Sequence, residues 1–234
     1  LGLSMTGIMD HPVIGTASDK TAEWLEELKN VAVKTNKKWA EKLGINQSVA
    51  ITCVKPSGTV SQLVDSASGI HPRFSKHYVR RVRSDRKDPL AIYMEQAGFP
   101  VEKDVMNDST VVFSFPVKAP ENSITVSEVG AMEQLALWKT YQNNWCEHKP
   151  SITVNVRSDE WLSVGAFVYE HFDEMSGVSF LPFNEHTYQQ APYQDCGKRD
   201  YEMLLDLMPE QIDWDSFADY EKEDNTAGSQ TIAC

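Results

Sequence analysis

At 234 residues, 41% of them hydrophobic, the chain carries enough apolar material for a sizeable core, which sets it apart from disordered chains. Its net charge of −12 repels nucleic-acid backbones, and no uninterrupted apolar run nears the length of a membrane span. With no positively charged leader, and with Cys53, Cys146, Cys196 and Cys234 scattered without CxxC or Cys/His ligand spacing, we expect a soluble intracellular protein that has no zinc site and keeps its first three thiols reduced and buried.

The opening LGLSMTGIMDHPVIG is punctuated by glycine and has no charged caps, so it reads as the middle of a fold. Residues 16–43 predict the first helix: Ser18 or Asp19 caps it, Leu25, Leu28, Ala32, Thr35, Trp39 and Leu43 recur at helical spacing, and Gly44 ends it. Residues 48–54 (SVAITCV) suit a buried strand, which Pro56 and Gly58 break into a tight turn before a helix starting near Val60. A strand, turn and helix start of this kind presents main-chain N–H groups to an anion, so Ser57, Gly58, Thr59, Val60 and Ser61 are candidate phosphate ligands. The same residue types also suit an ordinary capped helix start.

Between positions 73 and 87 the chain carries Arg73, Lys76, Arg80, Arg81, Arg83, Arg86 and Lys87 against Asp85 alone. Such a run serves either as a solvated cationic face or, placed just after the phosphate turn, as a source of guanidinium groups for oxyanions. A short helix over 89–97 stops at Gly98, and residues 111–117 (VVFSFPV) read as a strand that Pro116 brings to its end. Ser127 opens a long helix with Met132, Leu135, Trp138, Tyr141 and Trp145 on one core-facing stripe. Residues 152–156 are a strand, Ser158 caps a helix whose buried face is Trp161, Val164, Val168 and Phe172, and residues 178–183 are a further strand. This alternation predicts an α/β sheet or barrel built from crossover units. Residues 198–208 read as helical and 209–230 as an acidic, polar tail, with no domain linker before it.

The run KPSGTVSQLVDSASGIHPRFSKHYVRRV, together with LGLSMTGIMD, KPSITVNVRSDEW, GVSFLPF and TYQQAPY, resembles the catalytic subunit of ribonucleotide reductases. The nearest likeness is to the adenosylcobalamin-dependent (class II) ribonucleoside-triphosphate reductases of the monomeric type. The resemblance implies the C-terminal portion of a ten-stranded α/β barrel over residues 1–208, with a flexible tail over 209–234. It also implies radical reduction of ribonucleoside triphosphates to deoxyribonucleotides in the cytoplasm, adenosylcobalamin as cofactor, and thioredoxin or a similar protein as reductant.

Within that resemblance the phosphate turn matches the family's substrate-phosphate position. His71 and Arg73 become candidate substrate or cofactor contacts, although a histidine there equally suits hydrogen bonding to a neighbouring loop. Cys234, at the end of a polar segment, becomes a candidate shuttle thiol that re-reduces the active-site disulfide. Two family features are missing from these residues: the Asn-Pro-Cys-x-Glu loop that carries the thiyl radical, and the Tyr-Tyr pair of the tyrosyl-radical relatives, whose comparable stretch reads Ser179-Phe180-Leu181-Pro182-Phe183 here. The implied reading is therefore a reductase segment that keeps substrate and cofactor contacts but lacks the radical centre. The alternative is a nucleotide- or phosphate-binding module without chemistry of its own.

Overall fold

A computed structural model of the chain describes residues 2–183 and 188–221. In chain order its elements are β1 (Leu3–Ser4), α1 (Asp19–Leu43), β2 (Thr52–Cys53), α2 (Val60–Leu63), β3 (His77–Asp85), α3 (Pro89–Gln96) and β4 (Val101–Lys103). There follow β5 (Thr110–Lys118), α4 (Ala131–Asn144), β6 (Ile152–Val156), α5 (Trp161–Glu170), β7 (Val178–Pro182), β8 (Tyr193–Asp195) and α6 (Lys198–Asp206). They divide into two compact units, Leu1–Arg73 with Pro120–Asn184, and Phe74–Ala119 with Glu185–Cys234. The sequence predicted no such division before residue 209. It escaped notice because the chain leaves the first unit and returns to it without a Pro/Gly-rich linker.

The first unit holds two parallel strand pairs, each closed by a helical crossover. Leu3 registers with Thr52 across α1, and Ile152 with Val178 across α5. Ser18 caps α1 by accepting the N–H of Thr21 at 3.2 Å, and Gly44 ends it at φ 64°, both as the sequence predicts. The core joins Ile8, Met9, Leu25, Val54 and Ile70 to Leu135, Trp138 and Tyr141 of α4, to Trp145 at its C-cap, and to Ile152, Val154 and Val156 of β6. Its large aromatics are buried without orphaning their polar tips. Trp138 donates to the Pro150 carbonyl at 3.2 Å, Trp145 to that of Cys53 at 2.8 Å and Tyr141 to that of Ile14 at 3.0 Å.

Two predicted faces are less buried than their periodicity suggests. On α1 only Thr21, Leu25 and Ala40 are buried, whereas Leu28, Val31, Trp39 and Leu43 line an open apolar groove of about 880 Å³ with Leu3, Ile45 and Trp145. On α5 only Val164 is buried; Trp161 is exposed, and so is Phe172 in the 3-10 turn that follows. Helical spacing identifies an apolar face but not what covers it.

The second unit is an antiparallel sheet in the order β4-β5-β3-β8. β3 and β5 pair from His77↔Lys118 to Asp85↔Thr110, and Val111, Phe113 and Phe115 pack beneath Ala91, Met94 and Phe99. The basic run is therefore a strand. Its alternation is masked by Arg81 and Arg83, which bond to the Ala191 and Gln190 carbonyls at 3.1 and 2.9 Å, Arg83 also reaching Asp104 at 2.6 Å. The segment expected as a tail from residue 209 is structured over part of its length. Trp214–Asp219 forms a 3-10 turn, and Tyr93 packs on Trp214, Phe217 and Tyr220 at 5.7, 5.5 and 5.1 Å. Acidic composition hid three aromatic anchors. The rest of that segment, with Cys234, lies outside the described residues.

Candidate functional site

The predicted phosphate turn follows the carboxyl end of β2, beside the segment that leaves the carboxyl end of its parallel partner β1. Ligands of open α/β sheets bind at such strand ends. The strand is shorter than 48–54 and α2 is a single turn of four residues, so little helix dipole accumulates there and the donors are those of the turn itself.

Hydrogen bonds sort the five candidates. The Ser57 N–H donates to Ser68 Oγ at 3.0 Å, and the Ser61 N–H and hydroxyl both donate to the Ser57 carbonyl. Ser57 Oγ lies 2.8 Å from Thr6 Oγ1. Ser57 and Ser61 are thus turned inward. Thr59 caps α2 without a side-chain bond, and among the described residues nothing accepts the N–H of Thr59 or Val60; both residues are exposed. An oxyanion at the turn would therefore meet two main-chain N–H groups and the Thr59 hydroxyl. Gly58 has no positive φ, and a Cβ added there would meet nothing within 4 Å. The turn does not need glycine's backbone freedom. Gly58 instead leaves open the space through which a ligand approaches.

His71 and Arg73 lie close by in the sequence but are spent on the protein. His71 Nδ1 donates to the Ser68 carbonyl at 2.9 Å, and Nε2 accepts the N–H of Thr153 at 2.9 Å, which fixes the neutral ring. Burial pushes its pKa below the ordinary histidine value, only partly offset by the bond to Ser68. Arg73, 3% exposed, forks onto Asp10 through Nε and Nη2, both at 2.9 Å. Its remaining donors hold the Asp65 carboxylate at 3.1 Å and carbonyl at 2.6 Å. Arg73 thereby acts as a clamp on the 65–67 segment, where Asp65 sits at φ 46°.

Sequence reasoning missed the residues behind the turn. Thr6 and Asp10 lie in the opening motif, whose glycine punctuation was legible and whose polar residues were not read as partners. Asp10 accepts from Arg73, from the Ala67 N–H at 2.7 Å and from Ser123 at 2.8 Å. The three described thiols stay protonated or buried: burial drives Cys146 up to about 12 and raises Cys196, and Cys53 is enclosed. Among the described residues no group of His, Cys, Asp and Glu could hold a metal ion, and no helix is long and apolar enough to cross a membrane.

No protein-family model matches the chain. Its curated relatives include the adenosylcobalamin-dependent ribonucleoside-triphosphate reductase of Lactobacillus acidophilus, 26% identical over 91% of this chain and 32% of the relative. The protein of the same name from Euglena gracilis is 30% identical over 91% of this chain and 29% of the relative, and that of Lactobacillus delbrueckii subsp. bulgaricus is 30% identical over 79% and 26%. The chain thus spans about a third of the length of these relatives. A solved structure described as a B-12 dependent (class II) ribonucleotide reductase superposes with a TM-score of 0.81 at 24% identity, over 95% of this chain and 35% of the other, which shows the fold.

Proposed function

We propose that the chain, which is similar to the adenosylcobalamin-dependent ribonucleoside-triphosphate reductases and spans about a third of their length, forms the segment of a radical reductase that holds the substrate's phosphates. The reaction is the reduction of a ribonucleoside triphosphate to its 2′-deoxyribonucleotide. The observation that carries this reading is the exposed turn at the carboxyl ends of two parallel strands, with the Thr59 and Val60 N–H groups and the Thr59 hydroxyl open to an oxyanion. Such donors bind phosphate without side-chain charge, and none of them has to give up an internal partner first.

Burial shifts Cys146 and Cys196 away from the thiolate that disulfide exchange needs, and Cys53 is buried. This favours, as a second reading of the segment by itself, a phosphate-binding module whose chemistry resides elsewhere in the enzyme. Adenosylcobalamin would supply the radical that starts the reaction. The residues described here do not make a seat for it: the polar turn suits an oxyanion, and at the rim of the apolar α1 groove Asn36 is already bonded to Ser48 at 3.0 Å. No step is assigned to this chain through that cofactor.

We further propose that the enzyme is a cytoplasmic monomer and that Cys234 is a tail thiol re-reduced by thioredoxin or a similar protein. Replacing Cys234 by Ser should then slow repeated turnover driven by thioredoxin and leave the first turnover of pre-reduced enzyme intact. The phosphate assignment is tested in the full-length reductase, assayed with adenosylcobalamin and a ribonucleoside triphosphate. Gly58→Val, whose added methyl groups occupy the ligand's approach, should raise KM with little change in melting temperature. An unchanged KM overturns it.

A further inference from the structure

We infer that Thr6 is a positioning residue for the phosphate turn, acting through Ser57; this deepens the phosphate reading above and rests on it. A threonine hydroxyl has one hydrogen to donate and two lone pairs with which to accept. Thr6 Oγ1 donates to the Ala67 carbonyl at 2.9 Å, and the Gly69 N–H donates to it at 2.9 Å. Its only hydrogen is then spent, so across the 2.8 Å contact with Ser57 the donor is the Ser57 hydroxyl.

Two consequences follow from that proton count. The hydroxyl hydrogen of Ser57 points at Thr6 and not at a ligand, which leaves Thr59 as the hydroxyl of the turn free to donate outward. Thr6 also ties together three separate segments, the one after β1, the turn after β2 and the 67–69 segment. The last of these seats the turn from behind. The Gly69 Cα, at φ +55°, lies so close to the start of the turn that an added Cβ would sit 2.7 Å from the Lys55 carbonyl oxygen. The Gly7 N–H donates to the same Ala67 carbonyl at 2.7 Å, so the hydroxyl of Thr6 acts on a segment already fixed to its own backbone. The free donors at Thr59 and Val60 are thereby held in place before any ligand arrives, which is how a site of ordinary hydrogen bonds gains affinity.

The test uses the full-length reductase with a ribonucleoside triphosphate as substrate, and compares Thr6→Val, Thr6→Ser, Ser57→Ala and the double variant Thr6→Val/Ser57→Ala against Gly58→Val. Thr6→Val keeps shape and removes the hydroxyl. We expect it to raise KM about tenfold, the loss expected of one or two ordinary hydrogen bonds, with kcat within about twofold of wild type. Thr6→Ser should restore KM. Because Thr6 acts through Ser57, the double variant should be no worse than Thr6→Val alone. A Thr6→Val enzyme with wild-type KM, beside a Gly58→Val enzyme with raised KM, overturns the role of Thr6 and leaves the phosphate reading standing. If neither variant moves KM, the phosphate reading fails and this inference with it. Fully additive losses in the double variant overturn the route through Ser57. Should Thr6→Val fail to fold, Ser57→Ala alone decides, since it removes only the link: a raised KM supports the inference and an unchanged one overturns it.

Discussion

Arg73, buried, and Asp10, part-buried and 63 positions away in the chain, meet as a two-pronged ion pair with both bonds at 2.9 Å. Burial alone would raise the carboxyl's pKa, but the bonds from Arg73, Ala67 and Ser123 outweigh it and hold Asp10 below the ordinary aspartate range. Arg73→Ala leaves a part-buried carboxylate without its guanidinium partner and should destabilise the first unit by up to about 3 kcal/mol. Arg73→Lys should cost less but still lose the fork. Asp10 has a depressed folded pKa, so its contribution is complete above the unfolded aspartate value of about 4 and is lost as pH falls below it. Urea melts at neutral pH and at about pH 3 check both statements: the Arg73→Ala penalty should shrink at the lower pH.

His71 gives a second pH dependence in a different window. Its neutral ring accepts from Thr153, and protonation would remove that acceptor from a buried N–H. Since burial depresses the folded pKa, the stability that His71 contributes is full above about pH 6.5, the unfolded histidine value, and declines as pH falls below it. Thermal melts of wild type and His71→Leu should converge as pH drops from 7.5 to 5. A gap between them that stays constant over that range would mean that His71 does not titrate in this way.

These two residues also show where the sequence was legible. A basic residue and a histidine just beyond a phosphate turn look like ligands, because side-chain chemistry is visible in the sequence and partners 63 or 82 positions away are not. The elements with strong local signals were read correctly: the Ser18 cap and Gly44 stop of α1, the strand at 152–156, and the aromatic face of α4 from Leu135 to Trp145. What failed was long-range. β3 was hidden because two of its positions, on the face opposite the Phe113 core, are arginines paired to groups elsewhere in its unit, and an exposed stripe on α1 looks the same in sequence as a buried one.

The two glycines that flank the turn should separate strain from access. Gly69 sits at φ +55° with the Lys55 carbonyl in the way of a side chain, so Gly69→Ala should destabilise by more than about 2 kcal/mol. Gly58→Ala meets neither obstacle and should leave the melting temperature within about 2 °C of wild type, a shift below about 1 kcal/mol. Equal losses from the two substitutions would refute this distinction.

Tyr93 anchors the last described segment of the chain. Its ring packs on Trp214, Phe217 and Tyr220, and its hydroxyl donates to the Asp213 carbonyl. Tyr93→Ala removes a buried aromatic and should cost about 3–5 kcal/mol, whereas Tyr93→Phe loses one hydrogen bond, about 1 kcal/mol. Limited proteolysis should cut Tyr93→Ala between residues 207 and 221 well before wild type. Equal cleavage rates would show that the anchor does not hold this segment.

The hydroxyls of the turn itself make the sharpest test of how it binds phosphate. Ser61 is fully buried and its hydroxyl donates to the Ser57 carbonyl, so it is committed to the turn's own structure. Thr59 is exposed and its side chain makes no cap bond, so its hydrogen is available outward. Thr59→Val should therefore raise the KM of the full-length reductase for a ribonucleoside triphosphate several-fold with almost no change in melting temperature. A hydrogen bond to a charged phosphate is worth about 1.5–3 kcal/mol, which sets the upper end at about a hundredfold. Ser61→Ala should do the reverse in emphasis, lowering the melting temperature by several degrees and moving KM less, because it loosens the turn without removing a ligand contact. Thr59→Ser keeps the hydroxyl and should stay near wild type. If Ser61→Ala raises KM more than Thr59→Val does, the donors face the other way and the phosphate meets the turn from its inner side.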